Sequence, residues 1–503
     1  MPIASTFADP PPILEHATIR SIVIGIMLAM FLAALDQTIV ATALPTIGRE
    51  LGDLAHLPWV VTAYLLSATA VTPLYGKLSD IHGRRKILLI GIGIFILGSA
   101  ACALATSMLA LIGARALQGL GGGGLISLAQ TIIADIVAPK ERARYQGYFA
   151  SVFVLASIAG PVLGGFFAEH LHWSMIFWIN LPLGAVALWM TWGTLRQLPR
   201  HERPHRLDVL GAVLMTLATV LFLLALSWGG MTYPWGSAPI MGLLLASAVL
   251  AVLFVARLAT AAEPLLPPSI LLNPVVSRGT LAAFFTVGSL IGLSIYVPIY
   301  FETVLKLRAS SSGVALIPLM AGVIVGATTA SRLMVRIRHY KRTPAVGLLL
   351  AAGACALLSL WSGDLTLPMA EVLLGVVGIG IGTVLPVVTV AIQNSVPMHE
   401  VGTATATMNF FRSLGGAMAV AAFGAIVLSG IAGSEAGGVG LQSLSETVSR
   451  QGLDLSGVFR WVFGAAGAGL VIAFGWLLQM EELPLRSAYD RKPGPGVAGE
   501  QHG

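Results

Sequence analysis

The chain has 503 residues, of which 56% are hydrophobic and only 10% are charged, and its formal net charge is +6. A mean hydropathy of +0.86 is well above what a water-exposed surface tolerates, which excludes a water-soluble protein. The basic residues cluster in short connections between apolar runs, a distribution that indicates membrane orientation rather than nucleic-acid binding.

Apolar runs of about 20 residues recur along the chain, and each is long enough to cross a hydrocarbon layer of roughly 30 Å as a helix. We therefore predict an all-α integral membrane protein, in contact with the lipid bilayer through about fourteen transmembrane helices. Basic residues concentrate in every second connection, which predicts a multi-pass protein of the bacterial cytoplasmic (inner) membrane with both termini in the cytoplasm. In chain order the predicted spans are 21–44, 57–76, 87–106, 108–134, 146–168, 175–194, 208–227, 239–256, 280–301, 312–333, 344–361, 367–393, 403–430 and 459–479.

Two regions of the chain share a pattern of glycine, glutamine and proline, which indicates a duplicated half. In span four a glycine-rich stretch from Gly119 leads to Gln130, and in span twelve a similar stretch from Gly378 leads to Gln393. Paired repeats with a substrate site between them are the usual architecture for alternating access. We predict a cytoplasmic tail (1–20), a six-helix half (21–195), two inserted helices with flanking cytoplasmic loops (196–279), a second six-helix half (280–480) and a cytoplasmic tail (481–503).

Asp36 and Arg115 are ionisable residues within predicted spans. Such a residue costs roughly 2.5 to 3.5 kcal/mol by insertion scales, so both are candidates for function. Asp36 lies ~13 Å and Arg115 ~10 Å from the outer ends of their spans at 1.5 Å per residue. We expect both to line one cavity, where the guanidinium biases the proton affinity of the carboxylate. The alternative is a buried ion pair that only holds two helices together.

The connection between spans two and three has the residues of a conformational latch. Gly76 and Gly83 permit tight backbone turns, and Asp80 can form a charge lattice with Arg84 and Arg85 between adjacent helices. Such a lattice stabilises one conformation of a transporter. The alternative is that the basic residues only orient the protein in the membrane.

Span five has a face of small residues. Ala156, Gly160 and Gly164 recur every four residues, and Pro161 interrupts the hydrogen-bond ladder, which predicts a close helix contact. Span ten has a complementary small face in Gly322 and Gly326, so we expect it to be the partner across the two halves. The alternative is generic small-residue packing, which is common in membranes.

The substrate cavity is expected to be mostly apolar and aromatic, with a few polar groups. Arg412 is interpreted as a structural residue that reaches the membrane surface from near the cytoplasmic end of span thirteen. The candidates for the cavity are Gln37, Trp59, Tyr64, Gln118, Tyr296, Tyr300, Glu302 and Asn409.

Sites for metals, nucleotides and other cofactors are not expected. Cys102 and Cys355 lie within spans, where packing is their expected role. The segment 201–205 matches a zinc-protease pattern, but Pro204 breaks the helix that this pattern requires. The sequence has no Walker-type phosphate loop, so we expect no cofactor and transport driven by the proton gradient.

Four segments resemble motifs of the major facilitator superfamily, in its fourteen-span drug:proton antiporter branch of the EmrB/QacA type. They are 35–45 for the first-span motif, 76–86 for the loop motif, 115–119 for the span-four motif and 160–165 for the span-five antiporter motif.

The resemblance implies proton coupling at Asp36 and Arg115, and export rather than import through the motif that includes Gly160, Pro161, Gly164 and Gly165. It implies that lipophilic small molecules, cations among them, leave as protons enter. Relatives of this type sometimes work with a periplasmic adaptor protein, which no residue here demonstrates. The alternatives are a proton symporter, a dedicated proton-coupled exporter of one metabolite such as a lipid or siderophore, and a membrane-embedded enzyme or sensor. Against an enzyme, no intramembrane nucleophile and base can be assembled from this sequence.

Overall fold

A computed structural model of the protein describes residues 16–53, 56–195, 207–431 and 455–485, and these form helices with short connections. The basic connection at 196–206 and most of the two predicted tails lie outside the described residues. A 3-10 turn, Met398–Glu400, precedes the helix that begins at Val401. The α-helices are α1 (His16–Leu51), α2 (Trp59–His82), α3 (Arg84–Ala103), α4 (Met108–Gly122), α5 (Leu125–Ile136), α6 (Pro139–His170), α7 (Met175–Trp178), α8 (Asn180–Thr194), α9 (Val209–Trp228), α10 (Ala238–Thr260), α11 (Pro268–Leu271), α12 (Pro274–Thr303), α13 (Ala309–Val314), α14 (Ile317–Arg336), α15 (Arg342–Leu360), α16 (Leu367–Gly382), α17 (Val384–Ser395), α18 (Val401–Ile431) and α19 (Ser456–Gln479).

By length and composition, 13 helical segments of the described residues could cross a membrane. The prediction of an all-helical membrane protein is therefore confirmed. Helix α2, predicted as the second span, is 24 residues long but is not among the 13. Its hydroxyl groups, together with Lys77 and Asp80, lower its hydropathy compared with the other spans.

Two predicted spans are each divided near their midpoint into two helices. Span four is α4 followed by α5, and the break falls at Gly123 and Gly124. Span twelve is α16 followed by α17, and the break falls at Thr383. Both breaks follow the glycine-rich stretches from which the duplication was predicted, so the two stretches share a backbone feature as well as a sequence pattern.

The buried apolar side chains form separate clusters in the two parts of the chain. Three clusters draw their buried members only from residues 22–195. The buried members of another cluster all lie between residues 270 and 480. Helices α9 and α10 pack against each other, and α9 also contacts α2 and α18. Between the two parts, α2 contacts α18, α5 contacts α18, and α6 contacts both α14 and α17.

Candidate functional site

Asp36 of α1 and Arg115 of α4 form a fully buried ion pair, with side-chain exposures of 0% and 1%. Arg115 Nη1 donates to Asp36 Oδ2 at 2.6 Å and to Gln118 Oε1 at 2.6 Å. The Gln118 Nε2 donates in turn to Asp36 Oδ1 at 2.7 Å. The two residues that were expected to line one cavity lie in direct contact as a buried ion pair, and Gln118 bridges them.

Two further helices supply polar groups to this network. Asn180 Nδ2, at the beginning of α8, donates to Asp36 Oδ1 at 3.1 Å. Ser99 Oγ on α3 accepts from Gln118 Nε2 at 2.7 Å and from Asn180 Nδ2 at 3.3 Å. Ser99 and Asn180 were not predicted as site residues, although polar residues within predicted spans were the available signal in the sequence.

Close helix approach and an aromatic ring hold Arg115 in place. Its Nε donates to the main-chain oxygen of Val60 at 2.9 Å, and its guanidinium lies 4.4 Å from the centre of the Tyr64 ring. Gly98 lets α3 approach α4 closely, because a Cβ at this position would lie 2.6 Å from the main-chain nitrogen of Gln118. The glycines of these helices therefore serve to bring the polar side chains together.

The charged and polar side chains of this network are buried in this conformation. The carboxylate of Asp36 accepts three hydrogen bonds, from Arg115, Gln118 and Asn180. Removing one partner of a buried ion pair typically costs about 3 to 5 kcal/mol, because the other charge is left uncompensated. Gln37, the next residue on α1, is exposed.

The connection between α2 and α3 contains a second ionic cluster. Arg84 pairs with Asp80, donates from Nη1 to Ser79 Oγ at 2.8 Å, and donates from Nε to Asp135 Oδ2 at 2.9 Å. Asp135 at the end of α5 was not selected from the sequence. Gly83 has a φ of +86°, which a residue with a side chain rarely adopts. Arg85 lies over the ring of Trp192, 5.0 Å from its centre, rather than in the ionic cluster.

Asp80 connects this cluster to the other part of the chain. Its carboxylate accepts hydrogen bonds from the main-chain nitrogens of Gly402 at 3.2 Å and Thr403 at 2.7 Å, and from Thr403 Oγ1 at 2.6 Å. These groups lie at the beginning of α18, where the helix dipole favours a negative charge. Gly76 also abuts Gly402 and Ala406. Of the predicted latch residues, Gly76, Asp80 and Arg84 contact the beginning of α18, whereas Gly83 and Arg85 do not.

The small face of α6 packs against α1 rather than α14, so the predicted partner was wrong. A Cβ at Gly160 would collide with Thr38, and one at Gly164 would collide with Thr42. Gly322 and Gly326 pack instead against α16. Helix α6 does contact α14, but near Gly147, about two and a half turns or more before the small face, where it approaches Thr328 and Ser331.

The other two residues of the α6 motif, Gly165 and Pro161, lie in less crowded surroundings than Gly160 and Gly164. A Cβ at Gly165 would meet no atom within 4 Å, so this glycine is not required by packing. Pro161 is exposed within an otherwise continuous 32-residue helix.

The remaining cavity candidates lie in different environments. Asn409 Nδ2 donates to Gln130 Oε1 at 2.8 Å, across the α5 and α18 contact. Trp59 packs edge-on against Trp228 of α9, with ring centres 5.7 Å apart. Glu302, which is partly buried, accepts from Ser312 Oγ at 2.9 Å.

The two tyrosines of α12 are buried in the core of the second part of the chain. Tyr296 donates to the main-chain oxygen of Val420 at 3.0 Å, and Tyr300 donates to that of Ser362 at 2.7 Å. Because their exposures are 1% and 0%, neither lines an open cavity in this conformation. Among the described residues there is also no group of three or more His, Cys, Asp or Glu side chains that could hold a metal ion.

Comparison with known proteins places this geometry in a family. The model of the Major Facilitator Superfamily matches residues 26–420. The multidrug transporter protein MdtP of Bacillus subtilis (strain 168) is 36% identical over 406 residues, which cover 81% of this chain and 75% of that protein. Multidrug resistance protein 3 of the same organism is 32% identical over 412 residues, which cover 82% of this chain and 80% of the relative.

A solved structure supports the same fold. The human organic anion transporter MFSD10 (TETRAN) superposes with a TM-score of 0.66 and covers 93% of this chain and 100% of its own. At 18% sequence identity, this likeness shows the fold alone.

Proposed function

Since the chain belongs to the Major Facilitator Superfamily, whose members are membrane transporters, we propose that it is a proton-coupled antiporter that exports lipophilic small molecules. The observation that carries the proposal is the buried network of Asp36, Arg115 and Gln118. An ionisable carboxylate within a membrane span is expensive, and here it is the centre of a network that joins four helices. Relatives named as multidrug transporters support an export function.

Protonation of Asp36 is the coupling step. When Asp36 is charged, Arg115 and Gln118 hold α1 and α4 together. When Asp36 takes up a proton, the buried guanidinium of Arg115 loses its counter-charge, and a conformation that gives it water or another partner becomes favoured. Substrate release to the outside and proton entry then occur at different steps of the cycle, through the same bundle of helices.

The hydrogen bonds of Asp80 distinguish the conformation that is closed to the cytoplasm from the one that is open to it. In the structure described, Asp80 is bound to the beginning of α18, so the predicted cytoplasmic side is closed. Opening to the cytoplasm requires that these hydrogen bonds break while Arg84 keeps Asp135 as a partner. The closed state is thus stabilised by a defined set of hydrogen bonds, which break when the protein opens to the cytoplasm.

The finer architecture belongs to the same proposal. We place α2 in the membrane as the fourteenth span, with residues 21–195 and 280–480 as two six-helix halves and α9 and α10 as an inserted pair. The separate apolar clusters and the paired helix breaks support this division. The protein lies in the bacterial cytoplasmic membrane with both termini inside, is driven by the proton gradient, and can work with a periplasmic adaptor.

Export from energised cells tests the proposal. Ethidium and 1-pyrenebutanol are lipophilic fluorescent probes, one cationic and one neutral. We expect export of at least one probe by the wild type, and loss of that export with a protonophore. Protonophore-resistant export would refute proton coupling. Absence of export for every probe would favour a dedicated exporter of one metabolite.

A further inference from the structure

Arg412 is a cation well inside α18. It lies 11 residues after Val401, the first residue of the helix. At 1.5 Å per residue this corresponds to about 16 Å along the helix axis, roughly half of the ~30 Å hydrocarbon layer. Arg412 is therefore far from the helix end, where the sequence interpretation had placed it.

Arg412 differs from the buried arginines Arg115 and Arg84 in having no counter-charge among the described residues. Arg115 is paired with Asp36, and Arg84 is paired with two aspartates. By contrast, Arg412 has no hydrogen bond or ion pair with any residue that the structure describes, although it is partly buried. An uncompensated charge at membrane depth is characteristic of a substrate or ion pathway.

The position of Arg412 on α18 directs it toward the interior of the bundle. One turn earlier, Asn409 contacts Gln130 of α5. One turn later, Gly415 packs against Phe284 of α12. Successive helical residues are about 100° apart, so Arg412 lies about 60° from each of these two positions and between them. It therefore faces the region where α18 meets α5 and α12.

Two unpartnered acceptors lie on the same side of α18. The Asn409 Oδ1 and Gln393 Oε1 atoms are buried and have no hydrogen-bond partner. The amide nitrogens of these residues are occupied: Asn409 donates to the Gln130 side chain, and Gln393 donates to the Gln130 main chain at 3.3 Å. A buried acceptor without a partner is costly, and a ligand hydroxyl or amide group would satisfy it.

We propose that Arg412 is the specificity residue of the substrate site and binds the carboxylate of a lipophilic organic anion. The carbonyl oxygens of Asn409 and Gln393 accept hydrogen bonds from hydroxyl or amide groups of the same molecule. Arg412 has no counter-charge among the described residues, and an uncompensated positive charge attracts an anion and repels a cation. This inference rests on the proposed export function and names the class of substrate.

A matched series of probes tests the inference. The compounds 4-(1-pyrenyl)butyrate, 1-pyrenebutanol and 4-(1-pyrenyl)butyl-trimethylammonium share one apolar body and differ in head-group charge. We expect the wild type to export the anion fastest. Arg412→Gln should lower export of the anion by about tenfold or more, as expected for loss of a charge-assisted hydrogen bond, and leave the neutral probe unchanged. Arg412→Lys should keep part of the anion export.

The control is Arg336→Gln, which removes an exposed arginine from the last turn of α14. It should change none of the three export rates. Equal loss of all three probes in Arg412→Gln would assign Arg412 a structural role and overturn the inference. Export of the neutral or cationic probe without the anion would overturn it as well, while leaving the export function intact.

Binding to protein in nanodiscs decides the inference separately from transport. Titration of the three probes, corrected for empty nanodiscs, should show tighter binding of the anion to the wild type than to Arg412→Gln. If no probe is exported, the export proposal fails, and this anion-selective difference still supports an anion site at Arg412. Equal binding of the anion to both proteins would refute that site.

Discussion

At the residue scale, the carboxylate of Asp36 has two candidate roles that a single substitution does not separate. Asp36→Asn removes the charge that compensates Arg115, so a loss of transport could reflect a damaged fold. The double variant Asp36→Asn with Arg115→Gln removes both charges and leaves neither partner uncompensated. The pair of variants therefore distinguishes proton coupling from structural support.

We predict that Asp36→Asn lowers the free energy of unfolding by about 3 to 5 kcal/mol, because the buried guanidinium of Arg115 loses its counter-charge. The double variant should recover most of this loss but should remain inactive in proton-driven export. Denaturation of the purified protein and vesicle export measure the two effects. Recovery of export in the double variant would show that the ion pair is only structural.

The central ion pair could be predicted from the sequence, whereas its surroundings could not. A charge within an apolar span can be recognised from the sequence alone. Asp36 and Arg115 lie at similar depths in their predicted spans, which predicted that they line one cavity. Asn180 and Ser99 are uncharged, and their contacts depend on how α8 and α3 cross α1. The unpaired state of Arg412 likewise depends on what lies across the bundle.

At the scale of helices, the latch joins the beginning of α18 to the end of α2. Asp80→Asn would keep the size of the side chain but remove the charge that the helix dipole and Arg84 stabilise. Arg85 lies in the same loop and carries a charge, but it packs on Trp192 instead. The two residues form a natural pair of test and control.

We predict that Asp80→Asn increases the accessibility of the contact between α5 and α18 from the cytoplasmic side. A cysteine at Asn409, in a background without the two native cysteines, should react with a maleimide several times faster in inverted vesicles when Asp80 is replaced. The residue is only 6% exposed in the latched structure. Arg85→Gln should leave the rate unchanged, and equal rates in all three proteins would contradict the latch.

The motif of α6 contains another matched pair of positions. Gly160 is pressed against Thr38 of α1, with the main-chain nitrogen of Ile39 at 3.0 Å from the position of a Cβ, whereas Gly165 has open space. Gly160→Ala should therefore destabilise the protein by about 1 to 3 kcal/mol through overpacking. Gly165→Ala should be tolerated. Thermal unfolding and export together measure this, and equal stability of both variants would refute the assigned contact.

The helix that packs against the small face of α6 could not be predicted from sequence patterns. Periodic glycines predicted a close contact of α6, and the structure has one. They could not identify α1 as the partner, because Thr38 and Thr42 are not small enough to be recognised as a complementary face. The hydroxyl of Thr38 donates to the main-chain oxygen of Ala156 at 3.0 Å, so a polar contact accompanies the packing.

At the scale of the whole molecule, the apolar pattern predicted the membrane-spanning helices well. Helix α2 is less apolar than the 13 segments that could cross a membrane, because it carries several hydroxyl groups together with Lys77 and Asp80. It contacts α4, α9 and α18. The helix breaks at Gly123 and Thr383 were not predicted, since continuous apolar sequence does not reveal where a helix is interrupted.

Proton movement during export tests the account most directly. Purified protein would be reconstituted into liposomes that contain an exported probe and an entrapped pH dye, with equal pH inside and outside, so that only the probe gradient drives transport. We predict that probe efflux through the wild type brings protons in and acidifies the interior. The inactive Asp36→Asn protein should produce neither efflux nor acidification. Probe efflux without a change in internal pH, or equal acidification by Asp36→Asn, would contradict proton-coupled antiport through Asp36.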